Sequence, residues 1–171
     1  MKLKETLLQE HSKAQCEKIV AWVGNNQKRF DELFQLFLSD EYRVQQRSSW
    51  PVSYCVEAHP FLIEKNLNQL INKLKQAGNH DAVKRNGVRL LQHIEIPAAL
   101  HGDVMNLCFD YLLTPGTAVA IKAFSLAVLQ KMSATYPEIL PELKIIIEDQ
   151  WDSQSAAFRS RANKLLKTRL S

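Results

Sequence analysis

Histidines, cysteines and close carboxylates are the residues through which a chain of this kind does acid–base, nucleophilic or metal chemistry. Their spacing here favours none of these. His11, His59, His80, His93 and His101 fall in different predicted helices or turns, with no H-E-x-x-H pattern to converge two of them on a metal. Cys16, Cys55 and Cys108 are odd in number and far apart, with no C-x-x-C, so neither a disulfide framework nor a zinc site has its spacing. They read as small buried hydrophobes, and Cys108 lies in the apolar stripe of its helix with no identifiable histidine partner for nucleophilic catalysis. Glu148, Asp149 and Asp152 could pair as acid and base near a substrate. The better reading makes Asp152 a helix cap and the other two solvated. A Gly-rich phosphate loop and a G-x-S-x-G elbow are both missing from the chain. No catalytic residue, cofactor or metal is therefore expected; a non-catalytic role is preferred and enzymatic activity is left open.

The residues that stand out are suited to binding. Arg47, Arg85, Lys122 and Arg161 recur at spacings of 38, 37 and 39, each followed by a short side chain: Ser48, Asn86, Ala123 and Ala162. A row of cations one repeat apart would hold an acidic peptide or a phosphate backbone. The competing reading pairs them with nearby carboxylates such as Asp40 and Asp81, or lays their stems over apolar neighbours. The short residues would let neighbouring helices approach closely. Trp50 is either an exposed anchor for a partner or a filler beside Pro51, and Trp151 is read as packing between helices. If the row binds, reversing Arg85 and Lys122 to Glu should abolish capture and leave stability nearly unchanged.

Helices must position these residues. Phe30, Leu33, Phe34, Phe37 and Leu38 recur at helical spacing, as do Leu67, Leu70, Ile71 and Leu74, then Leu100, Val104, Leu107, Cys108, Tyr111 and Leu112, then Phe158, Ala162, Leu165, Leu166 and Leu170. Strand-like alternation bounded by hairpin turns is missing. Breaks fall at Gly24-Asn25-Asn26, at Asp40 as the cap of the next helix, at Gly78–Asp81, at Thr114–Thr117 and at Asp152-Ser153. His59-Pro60, Ile96-Pro97 and Tyr136-Pro137 each precede an apolar run, with the prolines 37 and 40 residues apart. The unit is helix, turn, helix. The reading is one domain over 1–171: a cap helix over 2–23, then pairs spanning 26–57, 60–94, 97–134 and 137–169. Pro51 should kink or split the helix over 40–57. The stretch Val119 to Leu129 is apolar almost all round, as an interior helix would be.

With Val44, Val83 and Val119 near the starts of the second helices, Asp40 to Ser49 (D-E-Y-R-V-Q-Q-R-S-S) and Thr117 to Phe124 (T-A-V-A-I-K-A-F) carry a likeness to a known family. The chain resembles a HEAT-like, armadillo-type α-helical repeat protein over roughly residues 26–170, with 2–23 as a cap. The resemblance implies an all-α fold: a right-handed α-α superhelix of about four antiparallel helix pairs plus an N-terminal helix. It also implies an interaction module or scaffold that binds a protein or peptide in a shallow concave groove; the residues whose types and spacing make them the expected contacts are Arg47, Trp50, Arg85, Lys122 and Arg161. The alternative is nucleic-acid binding through a basic concave face, as in the HEAT-like DNA alkylation-repair proteins.

The net charge of +4 is uneven: residues 1–60 are balanced, 61–113 carry +1 and 114–171 carry +3. Arg159, Arg161, Lys164, Lys167 and Arg169 crowd the end without an acid among them. Cations at the C-terminal end of a helix complement its dipole; a phosphate-binding patch is the second reading. The opening Met-Lys-Leu-Lys-Glu is followed by no apolar stretch of the signal-peptide kind, and no run is long enough to span a bilayer. The expected location is the cytoplasm, without membrane association. The expected partner is a protein or acidic peptide, with nucleic acid as the alternative.

Overall fold

The computed structural model describes residues 1–167; Arg169, Leu170 and the end of the helix expected up to 169 lie outside the described residues. Among the described residues every regular element is helical, and none is long and apolar enough to cross a membrane. The chain folds as two compact units, Met1–Glu95 and Ile96–Ser171.

The first unit holds α1 (Leu3–Gln9), α2 (Lys13–Val23), α3 (Gln27–Leu38), α4 (Tyr42–Ala58), α5 (Leu67–Lys75) and α6 (Asp81–Leu91). The single helix expected over 2–23 is thus two, and side chains make the break. The Arg47 guanidinium donates to the carbonyls of Leu7 (3.1 Å) and Leu8 (2.7 Å), and Gln15 Nε2 donates to that of Thr6 (2.6 Å). These would otherwise be orphan acceptors at the end of α1. Ser12 then opens α2, its hydroxyl accepting from the Gln15 amide at 3.2 Å. Gly24, at φ 50°, ends α2, and Asn26 caps α3 by accepting from the Arg29 amide at 3.1 Å. Asp40 does not cap α4. The helix begins one residue later than expected, with Glu41 at the cap position and the Glu41 amide donating to the Ser39 hydroxyl at 3.1 Å.

Helix α4 is the centre of this unit and packs against α1, α2, α3 and α6. Val44, Ser48, Ser49, Val52, Ser53, Cys55 and Val56 are all buried along it. It runs unbroken through Pro51. A proline costs an exposed helix about 3 kcal/mol; here the burial of α4 on several sides offsets that. Between α4 and α6, Asn86 Nδ2 donates to Ser49 Oγ at 3.0 Å and Arg89 donates to Ser53 Oγ at 3.0 Å and to Glu57. Gly87 sits so close to α5 that a Cβ there would lie 2.6 Å from Leu74 Cδ2.

The second unit holds α7 (His101–Leu113), α8 (Val119–Met132), α9 (Leu140–Gln150) and α10 (Ala156–Lys167). Helix α8 packs on both α7 and α10, and Ile121, Ala123, Leu126, Val128 and Leu129 are buried on it, as its all-round apolar composition implies. Each of the three X-Pro junctions opens a short 3-10 turn that leads into the first helix of a pair. Two of these junctions are tied together by His101. Its Nε2 lies 2.7 Å from the Ile96 carbonyl, which can only accept, so Nε2 carries the proton and Nδ1 accepts from the Tyr136 hydroxyl at 2.9 Å. Asp152 does not cap α10; it lies in the 3-10 turn Trp151–Ser153, and the Ser155 hydroxyl accepts from the Phe158 amide at 3.2 Å.

Candidate interaction surface

The four cations share a sequence period but not a helix register. The second helices begin at Tyr42, Asp81, Val119 and Ala156. In each, the third residue is a core anchor: Val44, Val83, Ile121 and Phe158 are all at most 1% exposed. The third position of α8 is therefore Ile121, and Val119, expected to match Val44 and Val83, is 51% exposed. Counted from those starts, Arg47 is sixth, Arg85 fifth, Lys122 fourth and Arg161 sixth. One residue rotates a side chain by about 100° around a helix, so equal spacing along the chain delivers unequal directions.

The consequences are visible at each head. Lys122 is buried, and its Nζ donates to Gln150 Oε1 at 2.9 Å; burial holds its pKa below the usual lysine value. Gln150 Nε2 in turn donates to the Leu112 carbonyl at 2.8 Å, so this lysine belongs to a polar tie among α7, α8 and α9. Arg161 lies over the Phe124 ring, 5.4 Å from its centroid. Arg47 is half-buried and caps α1. Arg85 is exposed, with no hydrogen bond or ion pair among the described residues. The short residues after the cations behave alike: Ser48, Asn86, Ala123 and Ala162 are all buried.

Within the first unit, Arg47 and Trp50 line one hollow with a residue that the sequence did not single out. His11 is exposed in the break between α1 and α2, and its ring meets the half-buried Trp50 edge-on, with centroids 5.8 Å apart. Trp50 meets Tyr54 at 6.1 Å, and Arg89 lies 4.4 Å over the Tyr54 ring. The result is a row of three rings, His11, Trp50 and Tyr54, ending under the Arg89 guanidinium, across the α1–α2 turn, α4 and α6. A hollow of about 10 Å³, enough for a single water, lies beneath it between Leu7, Glu10, His11, Arg47 and Trp50. The imidazole is pushed below the usual histidine value by partial burial first, and then by the positive charges of Arg47 and Arg85. His11 was invisible to spacing because a continuous helix over 2–23 would have placed it mid-helix.

The residues with chemical potential elsewhere are engaged structurally. Burial pushes the thiols of Cys16, Cys55 and Cys108 up to about 12, so they are neutral at physiological pH. Glu148 pairs with Lys144 at 3.7 Å on the exposed side of α9. His80 caps α6, its Nδ1 accepting from the Ala82 amide at 2.9 Å.

Consecutive antiparallel helix pairs, three of them opened by a proline turn and each closed by a core-anchored second helix, define a helical-repeat protein. The chain belongs to the HEAT repeat domain family, whose match spans residues 3–169. Repeat domains of this class serve in general as protein-interaction scaffolds. No curated protein and no solved structure matches the chain.

Proposed function

We propose that the protein is a non-catalytic, cytoplasmic interaction module that captures an acidic segment of a partner protein on the α4–α6 face of its first unit. The observation that carries this reading is Arg85: an exposed guanidinium without an ion pair among the described residues, on α6, which packs against the α4 that carries Trp50 and Arg47. Tryptophan and arginine are the side chains that most often dominate the energy of an interface. Lys122 and Arg161 take no part in this face, since their heads are engaged within the second unit. On this face nucleic acid is disfavoured because Glu10 and Glu57 flank the row; a continuous phosphate backbone would run against both, whereas the carboxylates of a peptide can be spaced between them.

The test compares proteins cross-linked to the wild-type chain with those cross-linked to Arg85→Glu and Trp50→Ala variants. Partners that are lost from both variants and are joined through an acidic segment support the reading. Salt-dependent binding to duplex DNA that the Arg85 reversal removes would favour the nucleic-acid alternative.

A further inference from the structure

Helix α10 buries one side and sets cations along another. Phe158, Ala162 and Leu165 are buried, and the helix packs on α8. Ala156, Arg159, Ser160, Asn163, Lys164 and Lys167 together line one open trough. Their spacing of three and four residues is that of a single helix face, about 12 Å long from Arg159 to Lys167. Arg159 is half-buried and the others are exposed. The side chains of Arg159, Ser160, Asn163 and Lys167 make no hydrogen bond or ion pair among the described residues. Ordinary helix chemistry accounts for only part of this. Lys164 and Lys167 complement the C-terminal end of the dipole, but Arg159 stands in the first turn, where the dipole opposes a cation. The chain after Asp152 contains no acidic residue. Three positive charges therefore share the trough without a carboxylate among the described residues that line it.

We propose that this face binds duplex DNA without regard to sequence, with Arg159, Lys164 and Lys167 on phosphates and Ser160 and Asn163 adding neutral hydrogen bonds to the backbone. Arginine, lysine, serine and asparagine are side chains that contact phosphate oxygens. A protein partner would find no aromatic or large aliphatic anchor, because Ala156 is the one apolar residue among the described lining. For the same reason the face has nothing to insert into a lipid surface. It also offers no ring on which the bases of a single strand could stack. Of the two duplexes, DNA has a major groove wide enough to admit an α-helix, whereas that of RNA is deep and narrow. The site belongs to the second unit and is independent of the acidic-segment capture proposed for the first.

The experiment uses the full chain and a fluorescein-labelled 20-base-pair DNA duplex, read by anisotropy at 50, 100 and 200 mM KCl. The expected result is micromolar affinity at the lowest salt, equal for a duplex of scrambled sequence, with a logarithmic salt slope of about −3 for three phosphate contacts. Arg159→Gln should weaken binding several-fold and reduce the slope by about one. It should not lower the melting temperature, since it removes a cation from the unfavourable end of the helix. The triple variant Arg159→Gln, Lys164→Gln, Lys167→Gln should lose binding at 100 mM KCl. A charge-matched triple on exposed positions of the first unit, Lys13→Gln, Lys18→Gln, Lys28→Gln, should keep it. Equal loss in both triples would assign the binding to the net charge of the chain and overturn the site, as would no binding at 50 mM KCl. Arg85→Glu should bind the duplex as the wild type does; loss of binding there would move the DNA to the first unit and overturn the proposal. Duplex RNA or polyglutamate competing as well as unlabelled DNA would replace the ligand by another polyanion and likewise overturn it.

Discussion

Lys122 and Arg85 follow one another in the same periodic row, yet reversing their charges should have opposite consequences. Lys122 is 9% exposed and faces the Gln150 amide oxygen. A glutamate there would bury a carboxylate against an acceptor, costing about 3 kcal/mol or more, whereas Lys122→Met should be near neutral because the stem already packs and the charge is not needed. Arg85→Glu should leave the melting temperature unchanged, since the head touches nothing that holds the fold. Thermal denaturation of the three single variants checks this, and it replaces the double reversal that the sequence alone recommended; a Lys122→Glu variant as stable as wild type would contradict the burial. Gly87 offers a second residue-scale test. Alanine there meets Leu74 Cδ2 at 2.6 Å, and Leu74 is itself buried. Gly87→Ala should cost about 1–3 kcal/mol by overpacking. Combined with Leu74→Ala it should cost clearly less than the sum of the two single changes, a coupling readable in a denaturant double-mutant cycle.

Helix α1 is short, seven residues, and too short to persist by its own propensity. What holds it is the burial of Leu3 and Leu7 together with the Arg47 guanidinium on its last carbonyls. Arg47→Met keeps the apolar stem and removes both donors. The expected loss is about 1–3 kcal/mol for charge-assisted hydrogen bonds, concentrated as faster amide hydrogen exchange in α1, with α3 and α5 unaffected. Uniformly faster exchange across the unit would instead mean that Arg47 acts through the packing of α4. The element scale also explains the longest misreading of the sequence. Residues 2–23 carry apolar side chains compatible with one helix; at the break Ser12 caps α2 locally, while the last carbonyls of α1 are capped by Arg47, some forty residues away in the chain. No local pattern announces a cap supplied from another helix.

At the scale of the whole molecule, three thiols sit in the core with folded values of about 12 against an ordinary 9.0. In the unfolded chain they ionise near 9, so the folded state gains from keeping them neutral only below that value. Stability should be level up to about pH 8.5 and fall progressively as the pH rises from 9 toward 12. Urea midpoints at pH 8, 9.5 and 10.5 read the slope, and a triple variant with alanine at Cys16, Cys55 and Cys108 should be less stable throughout but show a smaller slope; an equal slope would assign the alkaline loss to tyrosine and lysine. The sequence by itself determined the helical class, the pairing of helices, the proline turns that open three of them and the burial of Ser48, Asn86, Ala123 and Ala162. Those features are local: the apolar period, the missing proline N–H and the small side chain act within a turn or two of chain. Only the tertiary structure decided where Arg47, Arg85, Lys122 and Arg161 point. The period of a repeat is counted along the chain, while direction is set by the distance from each core anchor, and a slip of one residue between Val44, Val83 and Ile121 turns an exposed guanidinium into a buried ammonium. The same reason hid His11, which acquires its place beside Trp50 only because α1 and α2 fold back upon α4.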